Sequence, residues 1–87
     1  MTVYMVERDL TGISMEGLAG AQKAAITEAG KMQSAGTDIS YIRSTFAPSD
    51  GRCMCLFEAE SDKEVRLLND NAKLPYFQVV EAFDLTP

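Results

Sequence analysis

The chain has 87 residues, with 13 Asp or Glu against 8 Lys or Arg and no histidine, so its formal net charge is −5. This length has room for one core, and we expect a single domain over residues 1–87. The acidic balance argues against nucleic acid as a partner, and the absence of histidine removes the commonest metal ligand and the usual general base.

The first part of the chain predicts a strand followed by a long helix. Thr2–Asp9 is rich in β-forming residues and ends at a Thr-Gly break. Ser14 is a suitable N-cap for a helix that runs to about Ser34, and Gly36 suits the position just after its end. Small side chains on its inward face would let the helix lie close to a sheet. This face consists of Leu18, Ala21, Ala25, Ala29 and Met32.

The second part predicts a hairpin, a shorter helix and a last strand. Ile39–Ala47 and Arg52–Ala59 have strong β preference, and the Pro48–Gly51 turn joins them as a hairpin. Ser61–Glu64 is a capping box, so a helix is expected to begin there. Phe77–Leu85 predicts the fourth strand. The inward positions of the second helix are Val65, Leu68 and Ala72.

This order, β-α-β-β-α-β, predicts an α+β protein with a ferredoxin-like sandwich fold, in which a four-stranded antiparallel sheet carries two helices on one face. Alternation along the strands leaves both faces of the sheet largely apolar. On the second strand, alternation places Tyr41 and Arg43 on one face and Phe46 on the other. Because the helices cover one face, the second apolar face predicts a homodimer packed sheet to sheet, as in dimeric α+β barrel proteins.

Charged and hydroxyl-bearing side chains interrupt these apolar strands. Glu7, Arg8 and Glu58 lie on the two strands expected at the centre of the sheet, so we expect their charges to meet near it. One interpretation is an ion-pair network at the strand ends; the other is a polar cluster in an apolar cleft that binds a small molecule. The predicted ligand-binding residues are Glu7, Arg8, Tyr41, Arg43, Cys55 and Glu58.

The two cysteines, Cys53 and Cys55, are separated by one residue. On a strand their Cα atoms would be about 6.6 Å apart with parallel side chains, which is a poor geometry for a disulfide. A C-x-C pair is a weak indication of a soft-metal site, and buried free cysteine commonly acts as a small apolar residue. No metal site and no cofactor are predicted, and no catalytic residue is identified.

No apolar stretch is long enough to cross a bilayer. The first ten residues, Met1–Leu10, also lack the basic and apolar regions of a secretory signal. We therefore expect a cytoplasmic protein without a membrane partner.

Several short motifs resemble those of a family of small bacterial ferredoxin-like proteins without an assigned function, which includes an actinobacterial nickel-binding protein. The matching segments, spread over nearly the whole chain, are Val6–Leu10, Tyr41–Ser44, Cys55–Ala59, Ser61–Arg66 and Leu74-Pro75. The resemblance implies a ferredoxin-like dimer and places Glu7, Arg8, Cys55 and Glu58 at the signature positions of the family. It also implies a histidine in the second helix, where this chain has Leu68.

Three functions are compatible with these features. The first is a small dimeric binding protein whose cavity on the sheet holds a small molecule or a metal ion, although the sequence identifies no metal ligands. The second is a small dimeric α+β barrel enzyme, of the isomerase, cyclase or cofactor-independent oxygenase type, that uses a carboxylate or a tyrosine as acid or base. The third is an interaction module without a ligand, in which the dimer contact covers the whole sheet face and leaves no cavity.

Overall fold

A computed structural model describes all 87 residues and has the predicted element order. Its elements are β1 (Thr2–Asp9), α1 (Met15–Ser34), β2 (Ile39–Ala47), β3 (Arg52–Ala59), α2 (Asp62–Asn71) and β4 (Gln78–Ala82). The strands form one antiparallel sheet in the order β2-β3-β1-β4. Both helices pack on the same side of this sheet, so the ferredoxin-like prediction is confirmed.

The sheet has two chemically different faces. The face under the helices, called here the helix face, carries Val6 of β1 and alternate residues of β3, and these side chains are buried against α1 and α2. The opposite face is called the open face. The buried apolar core consists of Val6, Ala25, Ala29, Met32, Ile39, Cys53, Cys55, Phe57, Ala59, Val65, Leu68 and Val79.

The ends of the helices follow the capping residues in the sequence. The Ser14 hydroxyl accepts the Gly17 N–H at 2.9 Å at the start of α1, and Gly36 has the positive φ of 98° expected after the helix end. At α2, Ser61 occupies the N-cap position, but its hydroxyl donates to the Glu64 carboxylate and accepts no backbone N–H. The capping box is therefore present in position but forms neither of its two side chain–backbone bonds.

A β-bulge in β2 changes which side chains face the helices. The pairing of β2 with β3 is Tyr41 with Phe57 but then Arg43 with Leu56, so one extra residue of β2 lies between these pairs. Beyond the bulge Phe46 shares the helix face with Tyr41, whereas Arg43 shares the open face with Leu56. The predicted assignment of Arg43 and Phe46 to faces was wrong, because strict alternation does not hold across a bulge.

The last strand is shorter than predicted at both ends. It covers Gln78–Ala82 rather than Phe77–Leu85. Two residues beyond it, the Asp84 carboxylate contacts the Arg43 guanidinium at 2.5 Å, although β4 and β2 form opposite edges of the sheet. The chain after β4 therefore turns back over the open face instead of continuing along the edge.

The open face combines apolar and charged side chains, and most of them are half-buried. Its members on the strands include Val3, Met5, Glu7, Met54, Leu56, Glu58 and Val80. Phe83 and Leu85 of the returning tail are more than four-fifths exposed. The homodimer through this face stays a prediction. Neither helix is both long and apolar enough to cross a membrane.

Candidate functional site

The structure divides the six predicted site residues between the two faces of the sheet. Arg8, Tyr41 and Cys55 lie on the helix face, as their pairing with buried β3 neighbours or their own burial shows. The other three, Glu7, Arg43 and Glu58, lie on the open face. Successive side chains on a strand point to opposite faces, so Glu7 and Arg8 cannot share a cavity. The expectation that Glu7, Arg8 and Glu58 meet was therefore wrong.

The open-face residues do not form a shared polar site. The Glu7 carboxylate accepts a weak hydrogen bond of 3.4 Å from the Gln78 side chain, and Arg43 pairs with Asp84. Glu58 lies opposite Val3 on β1. No ion pair joins Glu7, Arg43 and Glu58, so the open face carries scattered charges on an apolar surface.

The helix face contains a buried charge at Arg8, which is 2% exposed. One Nη atom donates to the Pro75 carbonyl at 3.0 Å, and the other donates to Asn69 Oδ1 at 2.9 Å and to Cys55 Sγ at 3.3 Å. These bonds use three of the five N–H groups of the guanidinium. No carboxylate is among the partners of Arg8.

Two of the three hydrogen-bond partners of Arg8 come from α2 and the segment after it. Asn69 is fully buried, and its amide nitrogen donates to the Val65 carbonyl at 2.8 Å, which orients Oδ1 towards the guanidinium. Pro75 follows the helix and presents its carbonyl. A buried cation without an anionic partner is costly unless neutral acceptors or a bound anion compensate for it. The burial of Arg8 without an anionic partner is therefore unusual.

Cys55 receives the polar contacts that reach the helix face from β2. The Ser44 hydroxyl donates to Cys55 Sγ at 2.9 Å. The Ser44 oxygen is 2.6 Å from the Tyr41 hydroxyl, which in turn accepts the Gln22 side-chain amide at 3.0 Å. With Arg8 on its other side, the Cys55 sulfur is the end point of a hydrogen-bond chain that begins at an exposed glutamine.

Cys53 is the second thiol of the cluster, and its Sγ lies 3.9 Å from Cys55 Sγ. Both cysteines are reduced and buried. Burial, reinforced by the neighbouring Cys55, raises the pKa of Cys53 to about 11. Cys53 therefore remains a neutral thiol at neutral pH.

A cavity of about 120 Å³ lies between the sheet and α1 beside these groups. One water needs roughly 10–15 Å³ of such space, so the cavity has room for a small molecule. Most of its wall is apolar, and its polar lining comes from Arg8 and Ser44 of the sheet and Gln22 of α1. The lining residues are Arg8, Leu10, Leu18, Ala21, Gln22, Ala25, Ser44, Phe46, Cys53 and Cys55.

Several members of this cluster were not predicted from the sequence. Ser44 and Phe46 reach the helix face only because of the bulge, for which the sequence of β2 has no clear signal. Asn69 is next to the predicted inward residue Leu68, and a helix position beside a buried one is a weak indication of burial. Gln22 lies on the exposed side of α1, and its contact with Tyr41 depends on how the helix lies on the sheet.

A family model described as nickel responsive protein SCO4226-like matches residues 4–82. The chain belongs to this family. One solved structure of the same fold is SCO4226 from Streptomyces coelicolor A3(2), with a TM-score of 0.80 and 18% identity over 97% of this chain and 99% of that one. At this identity the likeness establishes the fold alone. No functionally curated protein matches the chain significantly.

The donor atoms of this family member do not fit a nickel site. The chain has no histidine, and no group of three or more Cys, Asp or Glu side chains is close enough together to hold a metal ion. The two thiols lie beside the Arg8 guanidinium, whose positive charge opposes a divalent cation. Leu68, at the position where the resemblance implies a histidine, is fully buried in the core. We derive no nickel chemistry for this chain.

Proposed function

We propose that the protein binds a small organic anion in the cavity on the helix face. The carboxylate of the ligand lies against Arg8 and Ser44, and its apolar part contacts Leu18 and Phe46. The observation that carries this proposal is the buried Arg8 guanidinium, which has no carboxylate partner and borders an apolar cavity.

The chemistry of the wall supports a ligand with one charged end. An anion beside Arg8 supplies the missing counter-charge, and a charge-assisted hydrogen bond to a guanidinium is stronger than one between neutral groups. Leu10, Leu18 and Phe46 offer apolar contacts to the uncharged part of the ligand. Pockets that are mainly apolar, with a few convergent polar groups, are typical of small-molecule sites. The size of the cavity favours an acid of a few carbon atoms.

Calorimetric titration tests this proposal with short monocarboxylates, such as butyrate, and with the neutral amide of the same shape, butyramide. We expect butyrate to bind and butyramide to bind at least about tenfold more weakly, because the amide cannot neutralise Arg8. A tenfold difference corresponds to about 1.4 kcal/mol. Equal affinity for the two probes, or no binding of any acid in such a panel, would contradict the proposal.

Two arginine variants on opposite faces separate this cavity from the open face. Arg8→Met removes the buried charge, whereas Arg43→Met removes an exposed arginine of β2 that pairs with Asp84. We expect the first to lose butyrate binding and the second to retain it, with both variants checked for folding by circular dichroism. Loss of binding in Arg43→Met alone would move the site to the open face.

We also propose that two copies of the chain pack through the open face. The open face has several apolar side chains, among them Met5, Met54 and Leu56. In a single chain, only the segment after β4 packs over this face. That tail adds two exposed apolar side chains, Phe83 and Leu85, to the same side of the molecule. The binding cavity lies on the opposite face, so dimer formation leaves it free.

A further inference from the structure

The strands bring an unusual set of donors to one sulfur atom. Cys55 lies on β3 between β1 and β2, with Val6 and Ser44 as its direct cross-strand neighbours. The Ser44 hydroxyl lies 2.9 Å from Cys55 Sγ, and Arg8 Nη2 lies 3.3 Å from the same sulfur. Both groups donate hydrogen bonds, and one of them carries a positive charge. Reactive cysteines of proteins are found beside such positively charged and hydrogen-bond-donating groups.

The hydrogen-bond chain behind Ser44 fixes the direction of these donors. Because the Ser44 proton points to sulfur, the Tyr41 hydroxyl supplies its proton to Ser44 Oγ, and the Gln22 amide supplies one to Tyr41. Each bond polarises the next towards Cys55. On the other side, the Arg8 guanidinium is held by Asn69 and Pro75 and has no carboxylate to neutralise it.

Cys53 differs from Cys55 although both lie on the same face of β3. Its sulfur contacts Cys55 Sγ at 3.9 Å, whereas the Ser44 hydroxyl and Arg8 Nη2 direct their hydrogen bonds to Cys55. Arg8 also acts on Cys53, but burial outweighs it and the pKa of Cys53 is raised. Cys53 lies directly opposite Arg8 in the sheet register, so its different surroundings come from the diagonal direction of the arginine side chain. Because both thiols line the same cavity, Cys53 serves as a control for the reactivity of Cys55.

We propose that Cys55 is a redox-active thiol that reacts with hydroperoxides in this cavity. The Cys55 thiol gives its proton to solvent water as its sulfur attacks one oxygen of hydrogen peroxide. The sulfur–oxygen bond forms as the oxygen–oxygen bond breaks, and the departing hydroxide takes up the released proton and leaves as water. The sulfur loses two electrons and becomes a sulfenic acid, and the peroxide gains them. Arg8 and Ser44 position the sulfur and offer hydrogen bonds to the charge that moves onto the leaving oxygen.

Hydrogen peroxide is small enough to reach the sulfur. Cys55 is 5% exposed, but it borders the cavity of about 120 Å³, whose lining includes the exposed residue Gln22. The cavity therefore connects a buried sulfur with the surface. This reaction needs no organic anion, so it is separate from the binding function proposed above.

The test is the reaction of the reduced, ligand-free protein with hydrogen peroxide in the presence of dimedone, which captures sulfenic acids. Peptide mapping by mass spectrometry locates the adduct, and the same measurement in urea gives the rate for the unfolded chain. We expect the adduct on Cys55 and not on Cys53, at a rate at least about tenfold higher in the folded protein. This ratio corresponds to about 1.4 kcal/mol. If Arg8 and Ser44 did not activate Cys55, burial would make this thiol react more slowly in the folded protein than in the unfolded chain.

Three variants assign the effect to the cluster. Ser44→Ala and Arg8→Met should each slow the reaction at Cys55 about tenfold or more, whereas Cys53→Ala should still form the adduct at Cys55. The folded-to-unfolded comparison needs no variant, so it stands even if Arg8→Met does not fold. A Cys55 that reacts no faster in the folded chain, or equal labelling of both cysteines, would overturn the inference. Butyrate binding would be unaffected by that result.

Discussion

At the scale of single residues, the molecule is unusual in the position of one cation. Alternation along β1 places Arg8 on the same face of the sheet as Val6, opposite to Glu7. The sequence does not reveal that this is the face under the helices, since both faces of the strand carry apolar residues. Two of the partners of Arg8, Asn69 and the Pro75 carbonyl, come from α2 and the segment after it, more than sixty positions away in the chain. Such tertiary contacts are not encoded in a local pattern.

Asn69 is expected to stabilise the fold by satisfying Arg8. Asn69→Leu keeps a similar side-chain size but removes an acceptor from a buried charge, so we expect a loss of about 1–3 kcal/mol in the free energy of unfolding. Urea denaturation of the wild type and the variant measures this difference in the free energy of unfolding. The matched change Asn71→Leu, at an exposed position of the same helix, should stay within about 0.5 kcal/mol. Equal effects of the two changes would show that Asn69 has no special role.

Cys53 is expected to make stability fall at alkaline pH. Its pKa in the folded protein, about 11, is above the ordinary value of 9.0. Below pH 9 both states hold the proton; between pH 9 and 11 the unfolded chain releases it first, and the free energy of unfolding decreases. Urea midpoints at pH 8 and pH 10 should therefore fall more in the wild type than in Cys53→Ala. Identical decreases in both proteins would refute this assignment.

At the scale of elements, the helix and strand patterns predict most of the structure, and the exceptions are local. The bounds of β1, β2 and β3 agree with the sequence because their β-forming runs end at clear breaks. The bulge after Tyr41 is different, since it results from how β2 pairs with β3. The bulge places Ser44 beside Cys55 on the helix face. Because the sequence does not predict the bulge, it predicts only some of the residues around the cavity.

The hairpin between β2 and β3 depends on a glycine with two separate constraints. Gly51 has a φ of 76°, and a Cβ there would lie 2.5 Å from Thr11 Cα. Gly36 has a φ of 98° but open space around it. Gly51→Ala should therefore cost more than about 2 kcal/mol, and Gly36→Ala about 1–2 kcal/mol from the backbone conformation alone. Thermal unfolding compares them, and a smaller loss at Gly51 would contradict the predicted clash.

At the scale of the whole molecule, the two faces of the sheet have separate proposed roles. The helix face holds the cavity, and the open face is the proposed contact between two copies. The returning tail, held by Asp84 on Arg43, lies on the open face and was not predicted, because Phe77–Leu85 has a continuous β-forming pattern. The order of elements, by contrast, follows from the sequence because each element has its own periodicity and its own end signals.

The dimer proposal is tested by light scattering during size-exclusion chromatography. We expect a mass of twice the 9.5 kDa chain for the wild type and a single-chain mass for Leu56→Glu, because a charge on the open face opposes its burial. Leu67→Glu is the control, since Leu67 is an exposed leucine of α2 on the other side of the sheet. A wild-type mass near 9.5 kDa would contradict a dimer.

The central claim is that the cavity beside Arg8 is the ligand site, and methyl-resolved NMR tests it most directly. Leucine methyl groups report on both faces: Leu10 and Leu18 line the cavity, whereas Leu56 lies on the open face. Titration of the labelled protein with butyrate should shift the Leu10 and Leu18 methyl signals and leave those of Leu56 unchanged, and butyramide should give clearly smaller shifts at the same concentration. Shifts confined to Leu56, or equal shifts with both probes, would contradict the account.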